Sequence, residues 1–181
     1  MINDNTENNK ITMAGTVLDE PEFSHEVYGE GFFVFSLAVP RLSETMDIIP
    51  VTISEKFFAG VNVEKGTKLL IGGQFRSYNN YSGEGNKLIL TVFVRSIEEV
   101  EDLEEYASPN NVYLNGYICK PPVYRTTPFG REIADILLAV NRAYNKSDYI
   151  PCIAWGRNAK YAEALSVGDN IAIWGRVQSR E

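Results

Sequence analysis

Residues 147–175 read SDYIPCIAWGRNAKYAEALSVGDNIAIWG, and the order of their patterns decides the fold. The first part alternates. Ile150, Cys152 and Ala154 form a plain apolar face of one strand, and Tyr149, Pro151, Ile153 and Trp155 form the other. RNAKYAEAL (157–165) then carries helix formers, with Tyr161 and Leu165 at i, i+4 spacing. VGD (167–169) turns the chain into NIAIWGRVQSR (170–180), which reads as a further strand. A strand, a short helix and a strand are thus written in fewer than 40 residues.

Upstream, VYLNGYIC (112–119) and EIADILLAVNR (132–142) read as two more strands joined by a Pro-rich loop with Gly130. The same pattern occurs earlier in the chain. A shift of 101 residues aligns Gly15 with Gly116, Pro21 with Pro122 and Gly29 with Gly130. It also aligns Leu37-Ala38-Val39 with Leu138-Ala139-Val140, Arg41 with Arg142, Asp47 with Asp148 and Ile49-Pro50 with Ile150-Pro151. With one further residue of offset, Gly66, Gly73 and Ser77 meet Gly168, Gly175 and Ser179. The period is too long for a solenoid, so a domain has been duplicated. The first copy continues through a Gly-rich hairpin, QFRSYNNYSGEGN (74–86), into a fifth strand, KLILTVFVRS (87–96).

Three strands, a short helix and two strands give the order of the OB-fold, a five-stranded Greek-key barrel. The sequence therefore predicts an all-β chain of two tandem OB-folds, each with a short helix between its third and fourth strands. The boundaries expected are 10–97 for the first, 98–110 for an acidic linker and 111–181 for the second, which lacks a fifth strand in this sequence.

The chain has 181 residues, enough for two small domains, and 44% of them are hydrophobic, enough for real cores. The net charge of −7 is unevenly spread. Residues 1–109 hold 8 basic and 18 acidic side chains, and residues 110–181 hold 9 and 6, so the copies differ in sign, −10 against +3. A polyanion senses the field within about 8–10 Å of its groove, so the second copy suits such a partner although the whole chain is acidic. Cys119 and Cys152 lie in apolar runs outside any CxxC or Cys/His cluster, which predicts reduced, buried thiols. The polar start and the absence of a long apolar run predict no membrane segment and a cytoplasmic protein.

Catalysis is not expected. The sole histidine, His25, sits in an acidic segment with no cysteine or paired nucleophile nearby, and no phosphate-binding glycine motif is present. No metal site and no cofactor are expected. The outward Tyr and Trp of the 149–155 strand suit either of two partners, the flat faces of unpaired bases or an apolar protein surface.

NVYLNGYI (111–118), LLAV (137–140), DYIPCIAWGRNAKYAEAL (148–165), VGDNIAIWG (167–175) and RVQSRE (176–181) follow, in order, a pattern that resembles the bacterial single-stranded DNA-binding protein family. The first copy is a weaker match but keeps NNKITMAGTV (8–17), DEPE (19–22), FSLAV (35–39) and KGTKLLIGGQFRS (65–77). The resemblance implies sequence-tolerant binding of single-stranded DNA in replication, recombination or repair, and a homodimer presenting four OB-folds to DNA and to replication or recombination proteins. It places stacking rings at Tyr144, Tyr149 and Trp155. Arg142, Lys146, Arg157 and Lys160 lie close by in sequence as phosphate partners, and Arg176 and Arg180 on the fourth strand are further DNA contacts. Tyr113, Tyr117 and Trp174, outward on the first and fourth strands, are expected at an oligomer interface.

The first copy has Ser43, Ile48 and Ser54 at the positions of the three rings, and is expected to shape the assembly instead. Tyr78, Tyr81 and Arg76 of its hairpin are weaker candidates for DNA contact. Rival readings are an OB-fold protein-interaction or primosome accessory factor and a single-stranded RNA binder, since ring stacking does not read the 2′-hydroxyl.

Overall fold

The computed structural model describes residues 8–80, 85, 87–106 and 109–180. In the first repeat, alternating apolar residues build β1 (Asn9–Val17), β3 (Glu30–Pro40), β4 (Met46–Ser54), β5 (Lys68–Asn80) and β6 (Lys87–Glu99), with β2 (Glu22–Val27) as a short hairpin partner of β3. β1 pairs antiparallel with both β3 and β5, β3 with β4, and β4 meets β6 in parallel at Val51 and Val92. With β5 also beside β6, the pairing closes a five-stranded barrel. Its interior holds Leu37, Ile49, Val51, Ile53, Leu69, Ile71 and Val92, all fully buried.

The second repeat repeats the plan with β7 (Asn110–Ile118), β8 (Val123–Thr126), β9 (Glu132–Arg142), β10 (Lys146–Trp155), α1 (Arg157–Glu163) and β11 (Asn170–Gly175). β9 pairs with β7, β8 and β10, and β11 pairs with β7. Two tandem OB-folds are therefore present. Among the described residues nothing in the second repeat corresponds to β6. Cys152, Ala154, Ile171 and Ile173 are accordingly only partly covered, whereas the aligned Val51, Ile53, Leu69 and Ile71 are sealed.

Both repeats use a glycine to bring β1 or β7 close to its neighbour. A Cβ on Gly15 would lie 2.5 Å from the Ala38 carbonyl oxygen, and one on Gly116 would lie 2.4 Å from that of Ala139. Backbone cannot withdraw from such an overlap as a flexible side chain could, so the duplicated Gly is a packing requirement.

Several expectations are corrected. The helical stretch of the first repeat is a 3-10 turn, Glu55–Ala59, begun by Ser54, whose hydroxyl accepts from the Lys56 N–H. In the second repeat α1 buries Ala159 and Ala162, while Tyr161 points outward and Leu165 lies past its end, so small residues set the packing face. The 170–180 strand stops at Gly175. Beyond it the Val177 N–H donates to Asn110 Oδ1 at 2.9 Å, and the Asn110 side-chain amide donates to the Val177 carbonyl at 2.7 Å. His25 lies on β2, stacked on Phe32 with ring centres 5.0 Å apart. Both thiols are free but only partly covered. Desolvation raises the pKa of each, that of Cys152 to about 12. Among the described residues no helix is long and apolar enough to cross a membrane.

The chain divides into two compact units that do not follow the repeat boundary. Unit 1 holds residues 1–9, 77–89 and 114–173, and unit 2 holds 10–76, 90–113 and 174–181. The start of the first repeat's hairpin thus shares a unit with β9 and β10, and the last residues share a unit with β3 and β4.

Candidate functional site

β10 displays the site of unit 1. Directly opposed pairs share a face of a sheet, so the register Ile150–Leu138, Cys152–Ile136 and Ala154–Ala134 defines the inner face. Tyr149–Ala139, Pro151–Leu137, Ile153–Asp135 and Trp155–Ile133 define the outer one. On that outer face Tyr149 is 43% exposed and Trp155 48%. Six residues of strand at about 3.3 Å each hold the two rings about 20 Å apart.

At one end of this face lies the β9–β10 turn. Tyr144 (φ 63°) and Asn145 (φ 58°) both adopt left-handed backbone, and Tyr144 is 92% exposed. A bulky side chain rarely takes that conformation, and the cost is of order 1 kcal/mol or more. The strain sets an aromatic ring in water at the tip of a tight turn. At the other end Gly156 (φ 59°) turns the chain from Trp155 into α1, its N–H bonded to the Glu132 carbonyl at 2.9 Å.

The expected cations separate into two kinds. Lys146 and Arg157 are exposed and have no ion-pair partner among the described residues. Arg142 is set 3.5 Å from the buried carboxylate of Asp148, so its charge is already partly answered. Lys160 lies 3.7 Å from Glu132 in an exposed pair. Glu132 also accepts from the Tyr124 hydroxyl at 2.6 Å, and this bond pushes the Tyr124 pKa up to about 12.

One cation escaped the sequence reading. β8 was hidden inside the Pro-rich loop, and its pairing with β9 sets Arg125 directly opposite Ile133, which in turn opposes Trp155. Arg125, Ile133 and Trp155 form one row across three strands, and Asp135 holds the Arg125 guanidinium at 3.0 Å. The only signal in the sequence was a basic residue beside Val-Tyr in a stretch too short and too Pro-flanked to read as a strand.

The remaining expected residues lie elsewhere. Arg176, Arg180, Tyr113 and Trp174 belong to unit 2, and Tyr117, partly exposed, belongs to unit 1. Trp174 is 74% exposed, its ring centre 5.1 Å from that of Tyr113. In the first repeat Ser54, aligned with Trp155, is buried and donates its hydroxyl to Glu30, so that position offers no exposed ring. Arg76 lies over the Phe93 ring, 3.8 Å from its centre, and Tyr78 is half-exposed; Tyr81 lies outside the described residues. The described residues contain no His/Cys/Asp/Glu group able to hold a metal.

A family model described as "Single-strand binding protein family" matches residues 109–181. Single-stranded DNA-binding protein 1 of Staphylococcus aureus is 40% identical over an alignment of 78 residues that covers 39% of this chain and 47% of that protein. The chain spans about half the length of the curated relatives it matches. Among solved structures, the wild-type single-stranded DNA binding protein from Thermus aquaticus is 22% identical with a TM-score of 0.74, covering 94% of this chain and 84% of that one. A dimeric structure of the N-terminal domain of PriB from Thermoanaerobacter tencongensis is 55% identical with a TM-score of 0.48, covering 52% of this chain and 99% of that one.

Proposed function

We propose, from the premise that residues 109–181 belong to the single-strand binding protein family, that the second repeat holds single-stranded DNA without reading its sequence. The observation that carries this is the outer face of β10. Two half-exposed rings share it, a third ring stands at the strained turn before it, and two cations without an ion-pair partner among the described residues, Lys146 and Arg157, lie at its ends. A single strand exposes its base faces, each stacked base contributes about 1–3 kcal/mol, and every base offers a similar π-face. Tyr144, Tyr149 and Trp155 receive bases. Lys146, Arg157, Lys160 and Arg125 meet phosphates, while Arg142 mainly answers Asp148.

This is a binding function and not an enzymatic one, exercised in replication, recombination or repair. The 111–181 repeat reads and the 10–97 repeat supports it. Two copies of the chain pair to present four OB-folds, and the exposed Tyr113–Trp174 pair favours that reading because paired aromatics suit protein interfaces. Anisotropy titrations with labelled oligo(dT), a blunt duplex of equal length and oligo(U) test the function. Binding to oligo(dT) at least tenfold tighter than to duplex is expected, and equal binding to duplex contradicts base stacking. A strong preference for oligo(U) moves the assignment to RNA.

A further inference from the structure

Base stacking and phosphate contact make no use of two buried carboxylates, Asp47 and Asp148, each 1% exposed and at aligned positions in the two repeats. Each is the centre of the same four-part motif. Asp47 is held by Arg41 through two bonds, 2.9 Å from Nε and 2.6 Å from Nη2. It accepts the N–H of Ser179 at 3.0 Å, and the Ser179 hydroxyl accepts the N–H of Ile48 at 3.0 Å. Asp148 stands 3.5 Å from Arg142 and accepts the N–H of Ser77 at 3.0 Å. The Ser77 hydroxyl accepts the N–H of Tyr149 at 2.7 Å. In each motif the serine comes from the opposite repeat, and Ser77 and Ser179 are themselves aligned positions.

The two motifs differ in what they hold. The one built on Asp47 ends on the backbone of Ile48, which carries no ring. The one built on Asp148 ends on the backbone of Tyr149, a ring of the proposed binding face. Among the described residues the start of β10 otherwise pairs with β9 alone and follows two consecutive left-handed residues, so its edge is free to shift unless that N–H is held.

We propose that Ser77 and Asp148 are positioning residues for single-strand binding, with the first repeat supplying the hydroxyl that fixes Tyr149 on the binding face of the second. This rests on the function proposed above. Its consequence is specific. Removing the hydroxyl loosens the Tyr144–Tyr149 end of the face and leaves Trp155, six residues further along β10, in place. The motif of the first repeat provides an internal control with the same backbone N–H to serine bond, at a less buried serine whose hydroxyl also reaches Asp47 at 3.4 Å.

The test compares Ser77→Ala, Ser77→Thr and Ser179→Ala in the full chain, by anisotropy with labelled oligo(dT) and by thermal unfolding. Loss of one buried hydrogen bond corresponds to about a fivefold change. Ser77→Ala is expected to weaken binding by about that factor, and Ser77→Thr to restore it. Ser179→Ala is expected to bind within twofold of wild type although it too loses a serine hydroxyl bond to a strand N–H and melts below wild type. Equal binding by the two alanine variants, whether both intact or both weakened, overturns the positioning role and leaves the function standing. Failure of Ser77→Thr to recover overturns it as well, because the hydroxyl is then not what matters. A wild-type chain that does not bind oligo(dT) removes the function and this inference together.

Discussion

Replacing Lys146 and Arg157 together with alanine removes the two cations of the proposed site that have no ion-pair partner among the described residues. On single strands each neutralised phosphate adds about 0.7 to the slope of log K against log salt, so two add about 1.4. Raising salt fourfold, from about 50 to about 200 mM, therefore weakens the wild-type complex about sevenfold more than that of the double variant. The assay is anisotropy with labelled oligo(dT) at four or five salt concentrations. Lys68→Ala serves as the control, because that lysine lies in the first repeat with its ammonium 3.4 Å from the Glu101 carbonyl. A double variant that keeps the full slope, or a Lys68→Ala slope that falls as much, refutes the assignment of phosphate contact to the ends of β10.

Two further expectations follow from charge and exposure. Burial alone would raise the Asp47 pKa, but hydrogen bonds from Arg41 and Ser179 and the Arg41 charge outweigh it and hold the carboxyl below its ordinary value. A depressed folded value means that the stabilisation is full above the unfolded pKa of about 3.9 and disappears as pH falls through the folded one. Asp47→Asn is thus less stable than wild type at neutral pH, with the gap closing below about pH 4; urea midpoints at several pH values check this, and a gap that persists contradicts it. Sedimentation equilibrium of the full chain is expected to return twice the chain mass, with Trp174→Ala shifting it toward one; a wild-type monomer excludes the proposed pairing.

How far the sequence discloses the molecule depends on the range of the interactions that settle each element. β10 was legible on both faces, because alternation is local and Ile150, Cys152 and Ala154 stand opposite Leu138, Ile136 and Ala134 as a half-buried strand requires. β9 was legible to the residue, Glu132–Arg142. What failed depended on distant partners. Asp148 shares the inner face with Ile150 and reads as an anomaly until Ser77, 71 residues away, is found donating to it. Residues 176–180 lack strand geometry, and Asn110 and Asp47 take the N–H groups of Val177 and Ser179. The placement of Arg125 beside the proposed binding face needed β8, whose four residues carry too little pattern to be recognised.

Ser54 was legible as the small, ringless counterpart of Trp155. Its actual task, starting a 3-10 turn and bonding Glu30, was not.

The decisive measurement follows the fluorescence of one indole. Trp174→Phe leaves Trp155 as the chain's only tryptophan, and saturating oligo(dT) is then added to it. Unpaired bases lying flat against the β10 face quench that emission as the complex fills, and Trp155→Ala in the otherwise natural chain loses the about 1–3 kcal/mol of one stacked base, about 5- to 160-fold in affinity. An oligonucleotide that binds tightly while the Trp155 emission stays unchanged, with Trp155→Ala binding as well as wild type, contradicts the account at its centre.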